Sequence, residues 1–279
     1  FAEGDNVIPV FLSDCGECRD CSSAKSNLCS RYPFNITPWM QDGTSRFTDL
    51  NGETLHHFLS VSSFMQYTVL NAANVAKYDP DTISPITACL LSCGVSTGVG
   101  AAWKTANVES GSTVVIFGLG AIGLAVAEGA RIRGAARIIG VDINPEKFEI
   151  SKKFGVTEFV NSTSCGDKSL SQIINEMTDG GADYCFECVG LASLITEAYD
   201  SCRKGWGKTV VVGVTQPGDK VELSALGIVD YGRILTGCIF GSIKPKSELS
   251  ILIKSYAEKE LELDKFITHE VGFDDINKA

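Results

Sequence analysis

The 279-residue sequence has few histidines, few prolines and a minority of basic residues. It contains 3 histidines and 8 prolines, and its 24 Lys and Arg are outnumbered by 34 Asp and Glu, which gives a net charge of −10. An acidic chain does not attract nucleic acid or anionic lipid, so we expect neither as a partner. It has no apolar run of the length and purity that a membrane span needs, so we expect no membrane partner either.

The overall composition is that of a folded globular protein. Apolar residues make up 44% and charged residues 21% of the chain, which argues against a disordered or fibrous protein. The length suits one large domain or two ordinary ones. The chain starts at Phe1 and stops within a helix-like stretch; we therefore expect both ends to be cut, and the absence of a targeting segment carries little weight.

Two textures divide the chain. Residues 1–80 are rich in turns and short extended runs, and we expect strands at 7–11 and 63–70. From about residue 85, apolar strand-like runs alternate with helical patterns, which is typical of a parallel sheet covered on both faces. The predicted strands are 113–117, 137–142, 158–160, 182–187 and 209–212, and the predicted helices are 121–133, 169–178, 191–203 and 247–259, with another opening at Pro145.

A glycine-rich loop lies between the first of these strands and its helix. It reads Gly118-Leu119-Gly120-Ala121-Ile122-Gly123, and its glycines allow a tight turn, a close approach to a pyrophosphate and close helix packing. Asp142 ends the next strand, where a carboxylate hydrogen-bonds the ribose hydroxyls of NAD and repels the 2′-phosphate of NADP. Lys147 follows one helical turn later. The sequence predicts an NAD site; a turn without a ligand, and flavin or S-adenosylmethionine sites, are the alternatives.

Four cysteines are crowded near the N-terminus. Cys15, Cys18, Cys21 and Cys29 follow the spacing C-x2-C-x2-C-x7-C, which lets four thiolates surround one zinc ion in a closed, structural site. The alternatives are a pair of disulfides or an iron–sulfur cluster; a reducing compartment disfavours the former, and the long last spacing disfavours the latter. The total of 11 cysteines is odd, so complete internal disulfide pairing is excluded.

Cys93 differs from the remaining cysteines by its position. It lies where the β-rich part meets the nucleotide-binding part, and clefts between domains are common ligand sites. Its position makes it a candidate ligand or nucleophile, whereas the other scattered cysteines are expected to be small core residues.

Taken together, these motifs resemble those of the zinc-containing medium-chain alcohol dehydrogenases, in wording closest to the plant branch. The match runs nearly end to end, and its most specific parts are the cysteine lobe, the segment Cys93-Gly94-Val95-Ser96-Thr97-Gly98, the glycine loop and the run Gly140-Val141-Asp142-Ile143-Asn144. The resemblance implies an α/β protein with a GroES-like β-rich catalytic domain and an inserted Rossmann domain, a doubly wound parallel sheet. It assigns 1–94 and 238–279 to the catalytic domain, with a structural zinc lobe near 12–32, and 95–237 to the NAD-binding domain.

The resemblance also implies roles for individual residues. It makes Cys93 the catalytic residue of the chain, as a ligand of a catalytic zinc, and Cys15, Cys18, Cys21 and Cys29 the ligands of a structural zinc. The implied NAD contacts are Thr97, Gly118, Leu119, Gly120, Ala121, Ile122, Gly123, Asp142, Lys147, Val212, Val214, Cys238 and Phe240. The implied substrate pocket contains Phe58, Leu59, Val214 and Ile239. The family is commonly a homodimer paired through its Rossmann sheets, and we expect a cytoplasmic location.

The chain departs from the family pattern in two places. The catalytic zinc of the family takes a further Cys and a His that precede anything in this chain, and His56, His57 and His269 do not replace them. Ser60-Val61 stands where the family has Gly-Thr, which puts the pocket wall and the substrate in doubt. We expect hydride transfer between a primary or secondary alcohol, or an aldehyde, and NAD; an S-(hydroxymethyl)glutathione dehydrogenase, or a zinc- and NAD-binding protein without catalysis, are the alternatives.

Overall fold

A computed structural model describes residues 1–278, which form two compact units. The first unit combines residues 1–93 with the chain from Ile243 onward, and the second is the continuous stretch Gly94–Ser242. The resemblance placed the second boundary at 237/238, whereas the division here lies at 242/243. The difference arises because the turn Phe240–Ser242 packs on the first helix of the second unit.

The strands are short in the first unit, with two or three residues each, and longer in the second, with four to six. The strands are β1 Val7–Pro9, β2 Phe47–Thr48, β3 Thr54–Leu55, β4 Val75–Lys77, β5 Thr113–Phe117, β6 Arg137–Asp142, β7 Glu158–Asn161, β8 Tyr184–Glu187, β9 Lys208–Val211 and β10 Ile234–Gly237. The α-helices are α1 Arg19–Ser22, α2 Pro85–Ala88, α3 Gly94–Gly100, α4 Ala121–Ile132, α5 Lys147–Lys152, α6 Leu170–Met177, α7 Ala192–Asp200, α8 Ala225–Tyr231 and α9 Pro245–Ala257.

The second unit is built on a six-stranded parallel sheet in the order β10-β9-β8-β5-β6-β7. All four residues of β8 and the last four of β5 are buried, because helices cover both faces and leave no face for water. Phe117 and Phe186 are fully buried, and each such side chain stabilises the fold by about 1.5–3 kcal/mol. The chain runs outward from β5 to β7 and then returns to build β8 to β10 on the other side. The strand order therefore reverses between β5 and β8.

Small residues set the distance between α3 and α4. A Cβ placed on Gly129 would lie 2.9 Å from the Ala102 Cβ and 3.1 Å from the Val99 backbone, so a larger residue there would push the helices apart. The helical path then widens into a π-helix over Ala101–Ala106 and ends at Asn107, whose φ is +53°. Such π segments are rare and are often found at functional sites.

The first unit combines a small apolar core, which includes Val10, Leu12 and Leu252, with buried side-chain hydrogen bonds. β1 pairs with β4 and β2 pairs with β3, both antiparallel. The fully buried Asn74 ties the segments together, since its amide donates to the carbonyls of Val10 and Phe11 and accepts from the Ser13 hydroxyl. This satisfies the buried amide and fixes the chain before the cysteine lobe.

The strand expected over 63–70 is wrong. Those residues form turns and irregular chain, and Phe64 and Tyr67 are exposed. A segment forms a strand only beside a partner that takes its hydrogen bonds, and the described part of the chain pairs no strand with this segment.

No single helix within residues 1–278 is long and apolar enough to cross a membrane. The consecutive segments Pro85–Ser92 and Gly94–Ala106 pass such a test only when joined, and only on length and composition. Most of the second segment is buried in the protein.

Candidate functional site

The glycine loop lies at the carboxyl end of β5 and opens α4. Gly118 adopts φ +92°, which a residue with a side chain rarely takes. A Cβ on Gly123 would lie 1.8 Å from the Gly118 carbonyl oxygen, so helix and loop touch directly there. At Gly120 the same construction meets nothing within 4 Å. The loop therefore leaves an open space beside the free N–H groups at the start of a twelve-residue helix, as a pyrophosphate requires.

Asp142 at the end of β6 closes one side of this space. Its Oδ2 accepts a hydrogen bond from the Leu119 N–H at 2.8 Å, and its Oδ1 accepts from the Asn144 N–H at 2.9 Å. Each carboxylate oxygen can accept a second hydrogen bond, so Asp142 is both anchored and able to bind ribose hydroxyls. The Leu119 side chain is fully buried, so only its backbone faces the space. Lys147 begins α5 and is half-buried.

A second buried carboxylate organises the loops after β8 and β9. Glu187 is fully buried, and its Oε1 accepts from the N–H groups of Val189 and Gly190 at 2.9 and 2.7 Å. Its backbone carbonyl accepts from the Val212 N–H at 2.8 Å. Glu187 is not among the residues predicted from the sequence, although a carboxylate at the end of a buried strand is a signal for such a role.

The other expected NAD contacts are placed around the same edge of the sheet. Val212 and Val214 follow β9, and Cys238, Ile239 and Phe240 follow β10. Thr97 is buried in α3, and Ala121 and Ile122 open α4. Val214 is exposed, whereas Val212 and Phe240 are buried, so the latter two offer backbone rather than side chain to a ligand.

These features fit a bound dinucleotide. In a doubly wound sheet the ligand lies across the carboxyl ends of the strands where the order reverses, which here is between β5 and β8. Gly120 supplies the cradle that a Cβ would fill, and Asp142 supplies the ribose acceptor.

The four-cysteine lobe brings its sulfur atoms together in the first unit. The Sγ atoms of Cys15, Cys18, Cys21 and Cys29 all lie within 4.8 Å of one another. Cys15 and Cys21 are 3.9 Å apart and Cys18 and Cys29 are 4.0 Å apart. A zinc ion with Zn–S bonds of about 2.3 Å holds its thiolates roughly 3.8 Å from one another. The cluster fits that geometry, and none of its cysteines forms a disulfide.

Backbone amides support negative charge on the lobe. The N–H groups of Glu17 and Cys18 donate to the Cys15 Sγ, and they lower the pKa of that thiol. Hydrogen bonds from the Ser30 hydroxyl and then the Cys21 N–H lower the pKa of Cys18 to about 5. Burial raises the pKa of Cys21. Both shifts favour the thiolate, the form that binds zinc.

A cavity of about 720 Å³ in the first unit contains the predicted catalytic residue. Cys93, Phe58 and Leu59 all line it, so these expected site residues share one space. The rest of its lining is mostly apolar and includes Phe11, Val61, Phe64 and Phe273. Burial raises the pKa of Cys93. Val214 and Ile239, also expected in the substrate pocket, belong to the second unit.

The wall of this cavity has an unusual backbone. Leu59, Ser60 and Ser62 have φ of +49°, +61° and +47°, a region that disfavours side chains. A hydrogen bond from the Phe58 N–H to the Ser62 hydroxyl holds the turn. Ser60 thus occupies a conformation suited to glycine, the residue that the resemblance places there.

Histidines contribute little to metal binding within residues 1–278. His57 is buried and stacked on Phe47, its Nε2 accepts from the Arg46 N–H, and burial lowers its pKa. His56 packs edge-on against Trp39, and His269 is exposed. In that part of the chain only the four-cysteine lobe groups three or more metal-binding side chains. For a second zinc, the described residues around this cavity offer the thiols of Cys89 and Cys93 and no group of three metal-binding side chains.

Comparison with known proteins identifies the family. A sequence model of zinc-binding dehydrogenases matches residues 121–258. Alcohol dehydrogenase-like 7 of Arabidopsis thaliana is 64% identical and covers 99% of this chain and 71% of its own length. Alcohol dehydrogenase class-3 of Oryza sativa subsp. japonica is 47% identical, with 99% and 72% covered. The chain belongs to the zinc-binding alcohol dehydrogenase family.

Solved structures agree on the fold. An alcohol dehydrogenase zinc-binding domain protein from Burkholderia ambifaria superposes with a TM-score of 0.87 at 29% identity, covering 100% of this chain and 74% of its own. Benzyl alcohol dehydrogenase from Acinetobacter calcoaceticus gives 0.85 at 28%, with the same coverage. The chain is an α/β zinc-dependent alcohol oxidoreductase with a Rossmann-type sheet that suits a nicotinamide cofactor.

Proposed function

We propose that this protein transfers a hydride between an alcohol with an apolar side chain, or the matching carbonyl compound, and NAD. The carrying observation is the cavity that contains Cys93, because its lining is mostly aromatic and aliphatic. Burying such a side chain contributes about 25 cal/mol for each Å² of apolar surface. A space of about 720 Å³ suits an aromatic or medium-length aliphatic alcohol.

Asp142 supports NAD over NADP. Its carboxylate is fixed by the N–H groups of Leu119 and Asn144, so it cannot turn away from the ribose without losing both hydrogen bonds. A 2′-phosphate would meet this fixed negative charge, which disfavours NADP.

The zinc and the dinucleotide divide the chemistry. Bound zinc supplies Lewis acidity and bound NAD accepts or delivers the hydride. The residues of this chain do the positioning: Cys93 would hold a catalytic zinc, and Phe58 and Leu59 would contact and orient the apolar part of the alcohol. The glycine loop and Asp142 hold the dinucleotide. The four-cysteine lobe would hold a second zinc with a structural role.

The alternative glutathione substrate receives less support. S-(hydroxymethyl)glutathione carries carboxylates that need cationic partners, and the described residues lining the cavity include no Lys or Arg. The other alternative, a zinc- and NAD-binding protein without catalysis, predicts zinc in the four-cysteine lobe alone.

The test combines zinc content with turnover on the complete protein. We expect the wild type to contain zinc and to form NADH from aromatic and medium-chain alcohols. Cys21→Ser and Cys93→Ser should each lose part of the zinc. Phe58→Ala should raise KM for these alcohols more than for ethanol. Zinc that is insensitive to Cys93→Ser, together with no turnover, would overturn the catalytic proposal. Faster turnover of S-(hydroxymethyl)glutathione would replace the substrate class.

We propose a homodimer formed along β10. This strand ends the sheet, and Ile234 and Leu235 on it are partly exposed. Leu226 and Val229 on the neighbouring α8 are 69% and 79% exposed. An unprotected apolar edge is a template for pairing with a second strand. Leu235→Lys should give a monomer by sedimentation, and an unchanged mass would exclude this edge.

We also propose the cytoplasm as the compartment. The eleven cysteines are all free, which suits a reducing environment. A fluorescent fusion of the complete protein located in an oxidising compartment would refute it.

A further inference from the structure

The segment that follows β10 is held in a demanding conformation. We call residues 238–242 the β10 exit segment. Three of its members in a row have left-handed φ: Phe240 at +50°, Gly241 at +64° and Ser242 at +57°. Phe240 and Ser242 carry side chains, which disfavour this region. Such a turn persists only where surrounding contacts hold it.

Backbone packing supplies the first set of contacts. A Cβ built on Gly241 would lie 2.5 Å from the Ser96 carbonyl oxygen and 2.8 Å from that of Thr97. The turn therefore rests directly on α3, with no room for a side chain between them. Phe240 is buried. The exit segment and the helix that carries Thr97 are consequently fixed to each other.

Thr105 supplies the second set of contacts. Its Oγ1 donates to the Cys238 Sγ at 3.1 Å and lies 2.8 Å from the Ser242 Oγ. A threonine hydroxyl has one hydrogen to donate, so Ser242 must be the donor in the second contact. The order Ser242 to Thr105 to Cys238 thus joins both ends of the exit segment through one side chain.

The position of Thr105 explains how it reaches both ends. It lies in the π-helix Ala101–Ala106, after α3. The widened turn gives a local geometry that a regular helix lacks. The sequence gives no signal for this role of Thr105, because neither its spacing nor its neighbours form a motif.

The exit segment lies at a functional edge. It follows β10, at the carboxyl end of the sheet, and the Cys238 N–H donates to the Val211 carbonyl at the end of β9. In a doubly wound sheet each half receives one mononucleotide. The half β5–β7 contains the glycine loop and Asp142, which suit the adenosine diphosphate part. The half β8–β10 therefore receives the nicotinamide part.

We propose that Thr105 is a positioning residue for the nicotinamide end of the bound dinucleotide. It acts through the exit segment, whose backbone it holds in the strained turn beside α3. This inference rests on the NAD binding proposed above. It predicts that loss of the Thr105 hydroxyl weakens the grip on nicotinamide and leaves the grip on adenosine diphosphate unchanged.

The test compares two ligands on the complete protein. NADH contains both halves, whereas ADP-ribose lacks nicotinamide. We expect Thr105→Val, which removes both hydrogen bonds, to raise the Kd of NADH about three- to tenfold, as if one neutral hydrogen bond to the cofactor were lost. The Kd of ADP-ribose should change less than about twofold, since that half of the site is distant. NADH binding is followed by fluorescence and ADP-ribose binding by calorimetry.

Conservative variants separate positioning from folding. Thr105→Ser keeps the hydroxyl and should bind NADH as the wild type does. Ser242→Ala should weaken the binding of NADH but not that of ADP-ribose. The matched control is Thr157→Val, which removes a hydroxyl that donates to the Ile138 carbonyl next to the amino end of β6; it should not change either Kd. If Thr105→Val fails to fold, Ser242→Ala carries the test.

Three results would overturn the inference. An unchanged Kd of NADH in Thr105→Val and Ser242→Ala removes the positioning role. Equal weakening of NADH and ADP-ribose assigns these hydroxyls a merely structural role. A wild-type protein that binds neither ligand refutes the proposed NAD-dependent function itself, and this inference with it.

Discussion

Gly120 and Gly123 belong to one loop, yet the structure predicts opposite consequences for the same substitution. A Cβ at Gly123 would lie 1.8 Å from the Gly118 carbonyl oxygen and 3.3 Å from the Ile116 Cγ2. A Cβ at Gly120 meets nothing within 4 Å, and φ of −78° at this position is open to alanine. Gly123→Ala should therefore damage the fold, and Gly120→Ala should damage the binding of the cofactor.

The magnitudes follow from these contacts. Alanine at position 123 gains about 1 kcal/mol of helix propensity, but the overlap forces α4 away from the loop and costs more. We expect a net loss of about 2–3 kcal/mol, in line with overpacked cores, and a fall of about 5–10 °C in Tm. Gly120→Ala should cost less than about 1 kcal/mol in stability. It should raise the Kd of NADH roughly 10- to 100-fold, because its methyl group displaces a pyrophosphate that accepts charge-assisted hydrogen bonds.

Thermal unfolding and NADH titration of both variants decide the matter. Each variant is the control for the other, since both add one methyl group to the same loop. These roles of the two glycines are refuted if Gly120→Ala binds NADH as the wild type does, or if Gly123→Ala leaves Tm unchanged.

Three further predictions concern other parts of the molecule. Asp142→Ala should lower kcat/KM for NAD and raise it for NADP, because the negative charge facing a 2′-phosphate is removed; an unchanged ratio of the two values would contradict this. Cys21→Ser should remove zinc from the four-cysteine lobe, measured by elemental analysis, and destabilise the first unit by about 3 kcal/mol or more; full zinc content would show that the lobe is not its site. Arg137 donates two hydrogen bonds to Glu158. These hydrogen bonds, and to a smaller extent the positive charge of Arg137, lower the pKa of the Glu158 carboxyl. The pair therefore stabilises the fold above the unfolded-state pKa of Glu158 and loses its effect as pH falls through the lowered pKa. Glu158→Gln should cost less than about 1 kcal/mol at neutral pH, since both side chains are partly exposed; a cost that persists in acid would exclude the ion pair as its cause.

Local patterns made much of this molecule predictable from its sequence. The glycine loop, Asp142 and the cysteine lobe each depend on residues close together in the chain, so their spacing alone indicates their geometry. The sheet of the second unit was predictable for a related reason: strands buried on both faces read as continuous apolar runs. Its last strand, β10, was not predicted, because its residues are largely exposed and do not form a continuous apolar run.

Features that depend on distant parts of the chain could not be predicted. The stretch 63–70 is rich in aromatic and β-branched residues, as strands are, but it has no strand partner within the described residues, and no local pattern contains that information. Thr105 and Ser242 are far apart in sequence and meet only after the fold forms. The buried Glu187 satisfies loops after two different strands, so its role becomes visible only in three dimensions.

The first unit is made of two segments that are far apart in sequence, so its folding depends on the order in which the chain is synthesised. Its second segment begins at Ile243, after the whole second unit has been made. The two ends of that second unit touch, since Gly241 lies against Ser96 and Gly100. Once the second unit has folded, its 149 residues act as a short link. The entropic free-energy cost of bringing the two segments of the first unit together is then lower by about 3 kcal/mol than for an unstructured insertion of that length. Folding of the second unit before the first therefore brings the two segments of the first unit together at a lower cost.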